Sequence, residues 1–224
     1  MIKNISNLGD AALYCDFGKD VNKETNTKVI RYFKSIQKKH IKGINNLTPS
    51  YNKLIVSFDL KTTNFQNLKK EIENLDLINS ETINNKKIEI PVCCDENFSL
   101  DIKRLEEKLK ITREKIYENF FDKEFFCYMT GFIAGMPFLG DIDKNLRAKR
   151  LETPRVKVPK GSVGLTEQFA NIYTFESPGG WNIIGNTPIN IFDSSKEKNP
   201  NLINPGDLII FKEINKDQFL NHNE

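Results

Sequence analysis

The chain has 224 residues, 38% of them hydrophobic and 28% charged, enough to bury one large core or two smaller ones, so disorder is excluded as its main state. Its 33 Lys and Arg against 30 Asp and Glu leave a formal charge of +3, too near balance to point to a nucleic acid or a membrane as partner. A mean hydropathy of -0.49, with no apolar run near the roughly 18 residues of a spanning helix, excludes a helical membrane protein and predicts a soluble one.

The opening MIKNISNLGD lacks the charged start, apolar middle and cleavage site of a secretory signal, which predicts residence in the cytoplasm. Residues 11–17 (AALYCDF) read as a strand. Residues 21–41 carry Val29, Ile30, Phe33 and Ile36 at helical spacing, and Gly43 ends that helix. Residues 44–47 and 54–60 (LIVSFDL) read as an antiparallel pair of strands across a Pro-Ser turn. Residues 64–77, with Phe65, Leu68, Ile72 and Leu75, predict a second amphipathic helix, and residues 87–92 (KIEIPV) a last strand. The order β-α-β-β-α-β is the split βαβ, ferredoxin-like pattern, in which two helices cover one face of a four-stranded sheet.

Two short helices are predicted between 99 and 121, the first capped by Ser99 and burying Leu100, Ile102, Leu105 and Leu109, the second capped by Thr112 and presenting Ile116 and Phe120. From Phe125 onward, brief apolar or aromatic segments alternate with Gly and Pro, which predicts nine or so short strands in a closed or sandwiched all-β domain. The expected fold class is therefore α+β. A ferredoxin-like domain spans residues 1–90, and a helical connector with a β domain spans 91–224.

Chemistry has few places to sit. Cys15, Cys93, Cys94 and Cys127 fit no metal spacing and read as small core hydrophobes in a reducing compartment; no metal site is expected. The histidines are His40, at a basic helix end, and His222, in a polar tail, so a Cys-His or Ser-His centre is not expected. Neither the G-x-x-x-x-G-K-[ST] loop nor a G-x-G-x-x-G turn occurs. The tract 130–140 (TGFIAGMPFLG) reads as a bent barrel strand, either a structural corner or a pocket wall. The run 147–160 concentrates Arg147, Lys149, Arg150, Arg155, Lys157 and Lys160, a solvated loop or, beside a pocket, a holder of carboxylate or phosphate. Arg155, between Pro154 and a strand-like stretch, is its best anchored member. In ESPGGW the paired Gly179 and Gly180 allow close approach to the main chain, and Trp181 is the only tryptophan. Glu152, Glu167, Glu176, Asp193 and Asp207 are spread along the domain, and the pattern names no catalytic acid and base among them.

These tracts carry a resemblance. TGFIAGMPFLG, TPRVKVPKGSVG, IYTFESPGGW, IIGNTPINIFD and INPGDLIIF, in that order and spacing, resemble the family that contains the B subunit of 5-oxoprolinase, the KipI inhibitor of sporulation histidine kinases and allophanate hydrolase subunit 1, the last also a domain of urea carboxylases. GDAALYCDFG and PSYNKLIVSFD look like its amino-terminal domain, and the likeness runs from Ile5 to about Phe219.

The resemblance implies a small α/β domain followed by a cyclophilin-like β-barrel, and a component of a heteromeric complex that is inactive alone. With a homologous C subunit and an A subunit it would hydrolyse 5-oxo-L-proline to L-glutamate at the expense of ATP, taken as its magnesium complex on this chain or on a partner, with no prosthetic group. The alternatives are a KipI-like inhibitor of a sensor histidine kinase, and an allophanate hydrolase or urea carboxylase type of subunit. A small-molecule pocket would draw on Arg155, Gly161, Ser162, Gln168, Ser177, Gly179, Gly180, Trp181 and Thr187, with backbone amides of the Gly161 to Gly164 turn and of the Gly179-Gly180 turn positioning an anion. The chain departs from the family where Gly-Asn-Gln-Thr commonly leads into Ile-Tyr: here stand Glu167, Gln168, Phe169, Ala170 and Asn171, with Phe169 in place of the Gln. Asn186 replaces an arginine, and Ala134 and Met136 replace Pro and Phe.

Overall fold

Two asparagine caps start the helices that the apolar period predicts near the amino terminus. The Asn22 side chain accepts from the Thr25 amide at 2.8 Å to open α1 (Lys23–Lys39), and Asn64 accepts from the Asn67 amide at 3.0 Å to open α2 (Phe65–Glu73). A computed structural model describes residues 1–79 and 85–222, and the chain divides into two compact units, Met1–Asn85 and Lys86–Glu224.

In the first unit β1 (Asn4–Asn7), β2 (Ala12–Asp16), β3 (Ile44–Pro49) and β4 (Lys53–Phe58) form an antiparallel sheet in the order β1-β2-β4-β3. Leu13 and Cys15 of β2 and Leu54, Val56 and Phe58 of β4 alternate inward and pack with Val29, Tyr32 and Ile36 of α1 and Leu68 and Ile72 of α2. The element order is ββαββα, which corrects the expected β-α-β-β-α-β. The apolar pattern does not reveal β1, an edge strand with Ile5 alone buried. The strand expected to complete this sheet, β5 (Lys87–Cys93), lies instead in the second unit.

There β5 pairs in parallel with β13 (Leu208–Ile214), from Lys87 opposite Leu208 to Cys93 opposite Ile214. It helps close a seven-stranded barrel with β6 (Glu124–Thr130), β7 (Pro137–Gly140), β9 (Ser162–Thr166), β10 (Phe169–Ile172) and β12 (Asn182–Asn186), in the order β10-β7-β6-β13-β5-β12-β9. β8 (Arg155–Val158) and β11 (Ser177–Gly179) form a separate two-stranded ribbon. Ile90 and Val92 share the barrel core with Ile209 and Phe211, so burial of their side chains decides which unit takes β5.

Two helices, α3 (Ile102–Leu109) and α4 (Arg113–Phe121), add Ile102, Leu105, Ile116 and Phe120 to the same core, where the Phe120 ring lies 5.0 Å from those of Phe125 and Phe211. Thr112 caps α4 as expected, accepting from the Lys115 amide at 3.4 Å. Ser99 does not cap α3. Its hydroxyl donates to the Cys94 carbonyl at 2.8 Å, and Asp101 holds the cap position without a side-chain capping bond. Leu100, expected inside, is 45% exposed. A short α5 (Lys216–Asn221) follows the barrel, and among the described residues no helix is long and apolar enough to cross a membrane.

Candidate functional site

Strand alternation sends Leu139, Val163, Leu165, Ala170 and Ile172 into the barrel core. Their neighbours on β7, β9 and β10 therefore face the other way. Cross-strand register puts Phe138, Asn171 and Gly164 in one row and Gly140, Phe169 and Thr166 in the next. Gly164 leaves room for the residues beside it: a methyl group there would lie 2.7 Å from the Asn171 Oδ1 and 3.1 Å from the Trp181 Cβ. Trp181 is 4% exposed and meets Phe138 edge to face, with ring centroids 5.7 Å apart. Gly179 lies against the Tyr173 hydroxyl, with which any larger side chain would collide. The tracts GSVG, NIYTF and ESPGGW thus converge on one outer face of the barrel.

Asn171 stands out chemically. It is fully buried, and neither its Oδ1 nor its Nδ2 has a hydrogen-bond partner, although such a group costs about 1–3 kcal/mol to bury unpaired. Burial pushes the Tyr173 phenol above its ordinary range, an effect that the charge of Arg150 partly offsets. Arg150 itself lies over the Trp181 ring, 5.6 Å from its centroid.

A second polar cluster sits at the Phe169 end of the same face. The Asp141 carboxylate accepts from the Tyr128 hydroxyl at 2.9 Å and from the Gln168 side-chain amide. Burial, then the bond to Asp141, pushes the Tyr128 phenol up, so it serves Asp141 as a fixed donor. Phe169 sets its ring edge to face against Tyr128, with centroids 5.4 Å apart.

The residues expected to line a pocket fall into three groups. Gly179, Gly180 and Trp181 lie on the face just described, Gly180 through its carbonyl accepting from the Leu151 amide at 2.7 Å. Gly161, Ser162 and Thr187 meet at a turn whose backbone amides are spent internally. The Gly161 amide donates to the Tyr173 carbonyl at 2.8 Å, that of Ser162 to the Pro159 carbonyl at 3.2 Å and that of Thr187 to the Gly161 carbonyl at 2.9 Å. Asn186 ties the same turn by donating to the Lys160 carbonyl at 3.0 Å. Gln168 belongs with Asp141, and the Ser177 hydroxyl donates to the Phe175 carbonyl at 3.3 Å.

Arg155 has its own carboxylate. Its guanidinium grips Asp101 with two bonds, of 2.6 and 3.0 Å, and Asp101, 4% exposed, also accepts from the Ile183 amide at 2.7 Å. This ties β8 and β12 to the start of α3. Asn171, Tyr173, Asp101 and Asp141 are not among the residues expected from the sequence. The available signal for Asn171 was a polar residue alternating with Ala170 and Ile172 in a short apolar strand. Among the described residues, no group of three or more His, Cys, Asp or Glu side chains is arranged to hold a metal ion.

Known proteins share this architecture. Residues 3–203 match the family described as carboxyltransferase domain, subdomain C and D. The B subunit of 5-oxoprolinase from Bacillus subtilis (strain 168) is 29% identical over 227 residues, covering 96% of this chain and 94% of that one. Its counterpart in Haemophilus influenzae is 30% identical over 213 residues, covering 93% and 96%. Among solved structures, the crystal structure of TTHA0988 superposes with a TM-score of 0.82 at 27% identity over 91% of this chain, which spans 40% of that longer one.

Proposed function

Because the chain belongs to the carboxyltransferase domain family, subdomains C and D, and resembles 5-oxoprolinase B subunits from end to end, we propose that it is the B subunit of an ATP-dependent 5-oxoprolinase. The observation that carries this reading is the match along nearly the full length of both chains. In this reading the barrel is cyclophilin-like, the location is cytoplasmic, and the chain acts on 5-oxo-L-proline together with C and A subunits and is inactive alone.

The outer face supports a lactam as ligand. A lactam presents one N–H and one carbonyl side by side, and a primary carboxamide answers with a carbonyl and an N–H, so the two pair through two hydrogen bonds. Asn171 carries that carboxamide with both functions unpartnered. Phe138, Tyr173 and Trp181, all buried, are the aromatic side chains that such a ring would meet on this face. Gly179, Gly180 and Trp181 are retained as contacts, while Arg155 is a positioning residue that acts through Asp101.

Opening the lactam is driven by ATP. Phosphoryl transfer to the amide oxygen makes its carbon electrophilic, water adds there, the C–N bond breaks, and a second water releases phosphate from the resulting acyl phosphate. The products are L-glutamate, ADP and phosphate. Reconstitution with the C and A subunits, followed by an assay of glutamate released from 5-oxoproline and ATP, tests the reading. Asn171→Leu should raise the KM for 5-oxoproline at least tenfold. A wild-type complex that forms no glutamate would overturn the assignment.

A further inference from the structure

The basic run 147–160 is one stretch in the sequence but two populations in the fold. Arg155 is neutralised by Asp101, and Lys157 reaches Glu176 at 3.0 Å. Arg147, Lys149 and Arg150 instead line a cavity of about 270 Å³ together with Arg104 and Lys108 of α3, over Leu109 and Ala148. Glu152 is the one carboxylate in that lining. Among the described residues none of these five cations forms a salt bridge, in a unit where other basic side chains do.

The cavity wall is held in place from behind. The Ala148 carbonyl accepts from the Thr166 hydroxyl at 3.1 Å and from the Glu167 amide at 2.7 Å, and the Lys149 carbonyl accepts from the Asn182 amide at 3.2 Å. Arg104 donates to the Asn182 side-chain oxygen, and Arg150 rests over Trp181. The backbone that carries Arg147, Lys149 and Arg150 is thus fixed, and all five cations line the cavity. Like charges held together repel, and an anion with many oxygens removes that repulsion while accepting charge-assisted hydrogen bonds. Three guanidinium forks and two ammonium groups exceed what a single carboxylate can neutralise; they fit a chain of phosphates.

We propose that this cavity binds the polyphosphate chain of a nucleoside triphosphate, so that ATP is held on this chain rather than on one of its partners. The choice of ATP rests on the 5-oxoprolinase reading; the anion site rests on the cations alone. Arg150 belongs both to the cavity and to the ring of Trp181, which borders the lactam face, so the two sites share a wall.

Trp181, the only tryptophan, is a built-in probe. The full chain would be titrated with ATP, ADP, AMP, tripolyphosphate and inorganic phosphate, following Trp181 emission and binding heat. ATP and tripolyphosphate should bind at least tenfold more tightly than AMP or phosphate and change the emission. The exposed double reversal R147E/K149E should weaken ATP at least tenfold, and the milder R147Q/K149Q by a smaller factor. K198E/K212E, which changes the net charge equally outside the cavity, should stay within twofold. The proposal falls if ATP and tripolyphosphate do not bind, if both reversals weaken ATP alike, or if an RNA oligonucleotide outcompetes ATP. Should ATP bind as described while the reconstituted complex forms no glutamate, the site stands and the 5-oxoprolinase reading fails. Should a complex carrying R147E/K149E form glutamate at the wild-type rate, the site fails and that reading stands.

Discussion

In the amino-terminal unit the buried Asn26 of α1 donates its side-chain amide to the Ser50 and Tyr51 carbonyls, each at 2.9 Å, latching the helix to the β3–β4 turn. In the barrel unit the equally buried Asn171 of β10 leaves both polar atoms unpartnered. The same side chain at the same depth thus does two jobs. The Asn26 amide nitrogen is spent twice on the fold, whereas the Asn171 amide is buried at a cost and, in the proposed function, keeps its hydrogen-bonding capacity for a ligand. The contrast extends beyond asparagine. Buried polar side chains of the first unit, Thr25, Asn26 and Ser35, serve α1, while the second unit buries Asp101, Thr166, Asn171, Asn182 and Asn186 around the faces where its chemistry is proposed.

The largest test of this contrast compares an ion pair from each unit. Arg155→Ala strands the buried Asp101 carboxylate and should cost about 3–5 kcal/mol of unfolding free energy in urea denaturation. The corresponding Lys53→Ala breaks the more exposed pair with Asp16 and should cost about 1 kcal/mol or less. The hydrogen bond from Lys53 holds the Asp16 carboxyl below its usual range, so that smaller contribution is present at neutral pH and disappears as the pH falls through the carboxylate range. Equal losses at both sites would break the contrast.

Thiols supply a property in which the units should agree. Burial pushes Cys15 in the first unit and Cys94 in the second up to about 12. An exposed thiol ionises near pH 9, so the unfolded chain sheds these protons first, and stability present below pH 9 should fall between about 9 and 12. The slope is up to about 1.4 kcal/mol per pH unit for each thiol. Cys15→Val and Cys94→Val should each flatten that decline in denaturation midpoints measured from about pH 8 to 11.

The two asparagines themselves come next. Asn26→Leu removes the donor that pairs the Ser50 and Tyr51 carbonyls and should cost about 2 kcal/mol, whereas Asn171→Leu should be within about 1 kcal/mol of wild type, since no bond is lost. A large destabilisation by Asn171→Leu would mean that the amide is structural. The smallest effect is expected at Lys157–Glu176, where the side chains are 75% and 56% exposed; Lys157→Ala should change stability by less than about 0.5 kcal/mol.

Much of the architecture is legible in local pattern. The helical period over Val29, Ile30, Phe33 and Ile36 marks α1, the Thr112 cap marks α4, and the Gly- and Pro-punctuated tracts mark the barrel strands and the family. Local pattern fails where partners are distant in sequence. KIEIPV reads as a strand, but its parallel partner is β13, more than a hundred residues later, and nothing within the segment says which core receives it. Ser99 has the chemistry of a cap and is drawn off by the Cys94 carbonyl. Arg155 has the chemistry of an anion ligand and is already neutralised by Asp101, which stands 54 positions earlier in the chain.

By itself, then, the sequence determined the residue types and their periods: amphipathic helices, short strands, reduced and buried cysteines, and the ordered tracts that identify the family. These follow from local torsional preference and from which side chains leave water. Tertiary structure alone decided which charges are cancelled and which remain. Arg155 and Arg150 are five positions apart in one basic run, yet the first meets a buried carboxylate and the second a cavity of other cations. Coulomb energy and desolvation depend on distances in space, and those distances exist only once the barrel has closed.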